Sequence, residues 1–388
     1  MKHYAKITPE GTRDYLFEEC HARETVQQSL THVFALHGYA PVATPTLEFY
    51  DVFGDQYADF HYHSTDSRGR LLVLRADSTL PIARIAATRL QKETLPLRLY
   101  YHQSVFRRSR FYAGHSDEFM QCGVELLGAD GLCTDLEILS CAVEALRACD
   151  APNFRIELGH VDFFACFVDE LGVDPNLRAL LAEAIGSKNY PALAQLLEPF
   201  EKAPAAQALL ALPKLFGGED VLTQAYDFCK PEKAAQALDY LAKLYAQLKQ
   251  LGLDACIDID LGLVRRQGFY TGLVFRGYME GSGKPVLSGG RYDNLLADFG
   301  RDAAAVGFAV QLDPLAEALL EEGKCPEKPA VQALIFAEKD HEAAAILEMR
   351  NMHQQGKSCM IAPCETHEDA LNFAKERGIA EVIVMQNA

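Results

Sequence analysis

Residues 95–128 constrain the fold more than any other part of the chain. The run LPLRLYYHQSVFRRSRF (95–111) is rich in β-forming residues, and EFMQCGVELLG (118–128) has the same character. A short loop containing Gly114 separates them, so the two runs read as the strands of a hairpin. The hairpin also carries chemistry. Phe106-Arg107 opens the loop, and Gln121 and Glu125 lie on the returning strand. An arginine in such a place can clamp a carboxylate or a phosphate. Glu125 can hold a cation or a polar ring, and it sits between Val124 and Leu126 in a near-continuous apolar run, which points it away from solvent.

Around the hairpin the pattern alternates between strand and helix. Residues 15–38 read as a helix with Val26, Leu30, Val33 and Phe34 on one stripe and Gly38 as its stop. The segment GYAPVATPTLEFYDVF follows, extended because two prolines discourage helix. Residues 71–90 read as strand, turn and helix, 135–150 as a helix, and 154–167 as a strand running into a helix. A block rich in Ala, Leu, Lys and Glu, about 165–255, reads as a helical insertion between sheet segments. Strands resume over 255–278 and continue through PVLSGGRYDNL and AAAVGFAVQLDPL. KCPEKPA (324–330) has linker composition, and a βαβαβ pattern follows it. The expectation is an α+β core over 1–324, an antiparallel sheet flanked by helices, with a small α/β domain over 325–388.

Several function classes are disfavoured. The chain has a net charge of −17, which opposes polyphosphate backbones unless a basic groove is hidden. Its 11 cysteines include no C-x-x-C pair and no His/Cys cluster of zinc spacing, which fits reduced thiols in a cytoplasmic protein without a metal. Histidines 160, 341, 353 and 367 lack ligand spacing. The first residues lack the apolar core of a secretory signal, and no apolar run is long enough to span a membrane. Neither G-x-G-x-x-G nor a P-loop occurs.

The hairpin, LRADST, LVRRQGFYTG, LSGGRYDNL and VGFAVQLDP together resemble the class II aminoacyl-tRNA synthetases, specifically the histidyl-tRNA synthetase family. Within it the chain is similar to the shorter members that serve as regulatory subunits of ATP phosphoribosyltransferase. The likeness covers roughly residues 5–165 and 255–320. It implies a histidine pocket. Asp77 and Thr79 match the residues holding the α-ammonium, with Gln121 helping, and Arg265 matches the arginine meeting the carboxylate. Glu125 and Tyr270 match the pair reading the imidazole nitrogens, Tyr292 matches another wall, and Arg107 is the hairpin arginine. Aspartate at 77 is a methylene shorter than the glutamate usual in the synthetases. Gly289-Gly290 is expected to form a tight turn that lets backbone approach the ligand.

The same likeness implies a damaged ATP half. The hairpin motif F-R-x-E has Ser109 in place of its glutamate, which is too short to reach adenine. In G-F-A-x-G-x-E-R, Gln311 replaces the second glycine and Pro314 replaces the phosphate-clamping arginine. Proline offers neither charge nor donor, and losing one preorganised donor typically costs about 3–4 kcal/mol of transition-state stabilisation. Asp313-Pro314 reads instead as an N-cap with proline at the first helical position. Residues 330–388 hold five Lys/Arg against nine Asp/Glu, a poor surface for gripping tRNA. The resemblance thus implies a histidine-binding regulatory subunit without catalysis or cofactor of its own. It further implies a homodimer through the 15–38 helix and the segment after it, and a hetero-octamer with the short-form catalytic subunit. An active histidyl-tRNA synthetase, a scaffold that has lost histidine, and a synthetase-like protein acting on another amino acid or on a protein lysine remain alternatives.

Overall fold

A computed structural model describes residues 4–54, 60–108, 116–228, 231–264, 268–327 and 330–386. It divides into two compact units, Met1–Cys325 and Pro326–Ala388. In chain order the first unit opens with α1 (Phe17–Leu36), β1 (Ala40–Pro41), β2 (Leu47–Phe49), α2 (Tyr50–Phe53), β3 (His63–Thr65), β4 (Leu71–Leu74) and α3 (Thr79–Ala87). The hairpin β5 (Leu97–Phe106) and β6 (Glu118–Leu127) follows, then α4 (Leu132–Ala148) and β7 (Arg155–His160). The helical block comprises α5 (Val161–Leu171), α6 (Pro175–Gly186), α7 (Tyr190–Leu197), α8 (Pro204–Ala211), α9 (Asp220–Tyr226) and α10 (Glu232–Gln250), with a two-residue strand, β8 (Phe216–Gly217), inside it. The unit closes with β9 (Ile257–Asp260), β10 (Leu273–Tyr278), β11 (Leu287–Arg291), β12 (Ala305–Gln311) and α11 (Leu312–Glu321).

Local chemistry accounts for many boundaries. α1 buries Ala22, Val26, Leu30, Val33 and Phe34, the stripe read from the sequence. It ends where Gly38 adopts a left-handed φ of 78°, a conformation that costs glycine little. Asp174 caps α6 through the Asn176 and Leu177 amides, with Pro175 in the first turn, where its missing N–H is no loss.

The central sheet has the order β1-β5-β6-β12-β11-β10-β7-β9-β8. It is mixed, not purely antiparallel as its hairpins suggest. β1 pairs with β5 and β7 with β9 in parallel, while the other neighbours are antiparallel. The second parallel pair has a plain cause: parallel strands need a long crossover, and the helical block between β7 and β9 supplies it. β8 then pairs antiparallel to β9 at the sheet edge.

One face of this sheet is covered by a core that includes Phe34 of α1, Leu139 of α4, Val124 of β6 and Phe308 of β12, and that extends into the helical block. On the other face a smaller core joins Leu99 and Tyr101 of β5 to Ile82 of α3 and to Tyr292 and Leu296. A separate sheet, β2-β4-β3, precedes α3.

The second unit is β13 (Ala333–Ala337), α12 (Glu342–Gln354), β14 (Cys359–Ile361), α13 (His367–Glu376) and β15 (Glu381–Met385). Its sheet is parallel with β13 central, each crossover being one helix. Among the described residues no helix is long and apolar enough to cross a membrane.

Candidate functional site

Strand register builds the site. On β6, positions Gln121, Gly123 and Glu125 alternate with Cys122, Val124 and Leu126, whose side chains pack into the helix-covered core. On the open face Glu125 lies between Leu99 of β5 and Gly307 of β12, and Gly307 pairs on with Gly290 of β11. One step along, Gly123 lies between Tyr101 and Ala309, and Ala309 pairs with Ser288. The middle of the sheet is therefore carpeted with small residues, which leaves a hollow above the backbone. A β-carbon on Gly307 would stand 2.0 Å from Glu125 Oε2, and one on Gly123 would stand 2.6 Å from the Tyr101 hydroxyl.

The walls of this hollow hold Asp77, Thr79, Arg107, Gln121, Glu125, Tyr270 and Tyr292, gathered from separated stretches of sequence. They enclose about 560 Å³ of space, the open mouth included. Arg265 lies outside the described residues, as does Ser109. Tyr101, Phe269 and Ser288 line the same cavity without having been singled out in the sequence. For Tyr101 the available signal was alternation with Leu99 and Gln103 on one face of β5.

Glu125 is buried, 2% exposed. The Thr79 hydroxyl donates to Oε1 at 2.7 Å, and the Tyr292 hydroxyl donates to Oε2. Burial pushes its carboxyl up to about 8; the two hydroxyl donors oppose that rise and the nearby Asp77 adds to it. Asp77 is buried too, its Oδ1 accepting from the Leu80 amide at 3.1 Å at the start of α3. The loop carrying it is fixed by Arg75, a buried residue with no signal of its own in the sequence. Arg75 donates to the Thr44 and Ser104 carbonyls and to Gln103 Oε1, and Gln103 donates in turn to Ser78. Arg107 is half-buried, donates from Nε to the Ala76 carbonyl at 2.7 Å, and lies over the Phe119 ring.

Two local expectations are corrected. Gly289-Gly290 is not a tight turn: both glycines lie within β11. Their smallness serves lateral packing, since a β-carbon on Gly290 would stand 2.8 Å from the Tyr270 ring and one on Gly289 would strike Phe275. Asp313 is not an N-cap. α11 begins at Leu312 with Gln311 in the cap position, and Asp313 lies inside the first turn. Its carboxylate instead pairs with Arg23 of α1 and accepts from the Met120 amide at 3.3 Å. Pro314, also in that first turn, occupies a place where a missing N–H costs nothing. Gln311 ends β12 directly opposite Gln121, which in turn faces Gln103.

A mixed sheet whose open face carries a polar hollow beside a long hairpin defines a protein of the class II aminoacyl-tRNA synthetase type. The solved histidyl-tRNA synthetase of Nostoc sp. PCC 7120 shares the fold at a TM-score of 0.76 and 22% identity, over 96% of this chain and 90% of that one. The family model described as histidyl-tRNA synthetase matches residues 11–315. A solved structure from Bacillus halodurans, titled an ATP phosphoribosyltransferase regulatory subunit/histidyl-tRNA synthetase, superposes at a TM-score of 0.85 with 31% identity over 99% of each chain. The ATP phosphoribosyltransferase regulatory subunit of Clostridium kluyveri is 35% identical over 387 residues, 98% of this chain and 99% of its own length. The chain belongs to the ATP phosphoribosyltransferase regulatory subunits, which carry a histidyl-tRNA-synthetase-like domain.

Proposed function

We propose that the cavity binds L-histidine and that its occupancy sets the activity of a short-form ATP phosphoribosyltransferase catalytic subunit, at the first step of histidine biosynthesis. The observation that carries this reading is an asymmetry. Groups suited to the ammonium and the ring of histidine line one cavity with Arg107 as its cation, while by the family resemblance Gln311 and Pro314 stand where nucleotide chemistry needs a glycine and an arginine.

In this reading the α-ammonium sits among Asp77, Thr79 and Gln121. The Thr79 hydroxyl gives its proton to Glu125 and keeps lone pairs with which to accept from an ammonium. The carboxylate meets Arg265, as the family resemblance implies, with Arg107 as a second cation lining the cavity. The imidazole reaches Glu125 and Tyr270 against the wall made by Tyr292. Histidine acts by linkage: it prefers one state of the assembly and shifts the population toward it.

The assembly is a cytoplasmic hetero-octamer with the catalytic subunit, without tRNA or cofactor. Its homodimer forms through α1 and the segment that follows. Leu47 and Phe49 of β2 and Leu71 of β4, apolar yet exposed, support a contact there.

Co-purification with a short-form catalytic subunit, followed by phosphoribosyl-transfer assays with and without histidine, tests the reading. The expected result is a stable complex whose rate responds to histidine. A rate indifferent to histidine would overturn it. ATP–pyrophosphate exchange driven by histidine would favour an active synthetase instead.

A further inference from the structure

We propose that Glu125 is a neutral acid in the empty cavity and hands its proton to the ligand's ring nitrogen on binding, so that the site selects a weakly basic ring carried beside an α-ammonium. This rests on the histidine reading and extends it to the proton.

The geometry places two buried carboxyl groups in one enclosed space. Asp77 has a backbone donor, the Leu80 amide at the start of α3. Glu125 has hydroxyl donors, Thr79 from α3 and Tyr292 from the turn after β11. The other titratable or charged groups around it are Tyr101 from β5, Tyr270 ahead of β10, and Arg107 beyond the end of β5. Arg107 is the one basic side chain lining the cavity among the described residues, and it donates to the Ala76 carbonyl. Two carboxyls sharing a low-dielectric site do not both ionise readily, and the more deeply desolvated one keeps its proton; Glu125 is 2% exposed and Asp77 5%. Burial and the Asp77 charge both push Glu125 in that direction.

The step balances simply. The Glu125 O–H bond breaks, an N–H bond forms at the ring nitrogen, and an imidazolium–carboxylate pair remains. The Thr79 and Tyr292 hydroxyls can turn to serve either state: each donates to the carboxylate, and one accepts from the acid. A ring with an ordinary pKa of about 6.5 arrives neutral at pH 7 and above, and the attraction within the imidazolium–carboxylate pair, with Asp77 close by, offsets its lower basicity relative to the buried carboxyl.

The test combines infrared spectroscopy and calorimetry on the full chain, using L-histidine as probe. At pH 7 the empty protein should show a protonated-carboxyl carbonyl band that is missing in Glu125→Gln and disappears when histidine is added. Affinity should be flat between about pH 7 and 8, then fall about tenfold per pH unit above 8, as expected when one proton must be drawn from solvent. Glu125→Gln should bind more weakly and lose that added slope while keeping the slope due to the ammonium. If Glu125→Gln does not fold, Thr79→Val serves instead, shifting the band by removing one donor. Absence of the band, or a band unchanged while heat shows histidine bound, overturns the proton hand-over and leaves the histidine reading standing. A band without any heat of histidine binding overturns both.

Discussion

Replacing Gly307 with alanine tests the small-residue carpet most directly. The added methyl would stand 2.0 Å from Glu125 Oε2 and 2.5 Å from the Val124 carbonyl oxygen. The carbonyl belongs to the paired strand β6, so the methyl strains the β6–β12 ladder as well as displacing the carboxyl. Moving it disrupts the bonds from Thr79 and Tyr292. Overpacking of a core costs about 1–3 kcal/mol, and a buried polar group left unsatisfied about 1–3 kcal/mol more. The two effects share one cause and do not add fully, so the expected loss is about 2–4 kcal/mol. Thermal unfolding should shift down by several degrees, and calorimetric histidine affinity should fall separately, by about tenfold or more, because the displaced carboxyl is the ring's partner in the proposed pose. Gly186→Ala is the control. That glycine is helical and exposed, with only the Val264 carbonyl oxygen near its missing methyl, at 3.6 Å. There alanine should be neutral or stabilising by up to about 1 kcal/mol. A Gly307→Ala protein that melts with the wild type and binds histidine equally would refute the placement of Glu125 over β12.

Three further outcomes are expected. Because Glu125 is raised from 4.5 to about 8 in the folded chain, folding holds a proton that the unfolded chain releases. Its contribution to stability is full below pH 4.5 and is lost as pH rises toward about 8, a change of a few kcal/mol at about 1.4 kcal/mol for each pH unit between those two values. Urea titrations from pH 5 to 8 should therefore show a flatter stability profile for Glu125→Gln, with a residual slope from Glu157, raised to about 7 by burial. Arg23→Ala leaves the part-buried Asp313 carboxylate with only Arg13 and the Met120 amide and should cost about 1–3 kcal/mol, whereas Arg23→Met with Asp313→Leu should recover most of it; equal melting points for the single and double variants would count against the pair. Tyr101→Phe keeps the ring in the core but removes a hydroxyl from the cavity; about tenfold weaker histidine binding with unchanged thermal stability is expected by calorimetry.

What could be read from the sequence was what depends on near neighbours along the chain. The β5–β6 hairpin is two runs of β-formers joined locally, and its ten-residue register follows once the loop closes. The α1 stripe is a 3.6-residue period fixed by one helix. Glu125 stood out because its apolar flanks betray burial, and the structure buries it. The misread features depend on elements far apart. Whether β7 and β9 run parallel is decided by the path of the helical block, not by either strand. Gly289-Gly290 carries the composition of a turn, yet the glycines are placed by Phe275 and Tyr270 on other segments. Tyr101 and Ser288 join the cavity only through registers that no single strand contains.

In the proposed reading, the nucleotide half shows how a catalytic position becomes a structural one. By the family resemblance a synthetase has a glycine at Gln311's place and an arginine at Pro314's. Here Gln311 closes a row of three glutamines across β5, β6 and β12. Gln103, at one end of that row, is already committed to Ser78 and Arg75. Beyond it, Asp313 ties α11 to α1 through Arg23, whose guanidinium also lies 3.7 Å from the centre of the Tyr15 ring. Asp313 is an anion that would repel a phosphate, and a proline in the first turn offers no cation beside it. In the proposed reading, restoring an arginine at 314 alone would therefore return a charge while a glutamine still stands at the position of the family's glycine. Gln311→Gly with Pro314→Arg should remain without ATP–pyrophosphate exchange so long as Ser109 stands where the adenine-binding glutamate belongs. Exchange in that double variant would mean that the loss of nucleotide chemistry rests on those two residues alone.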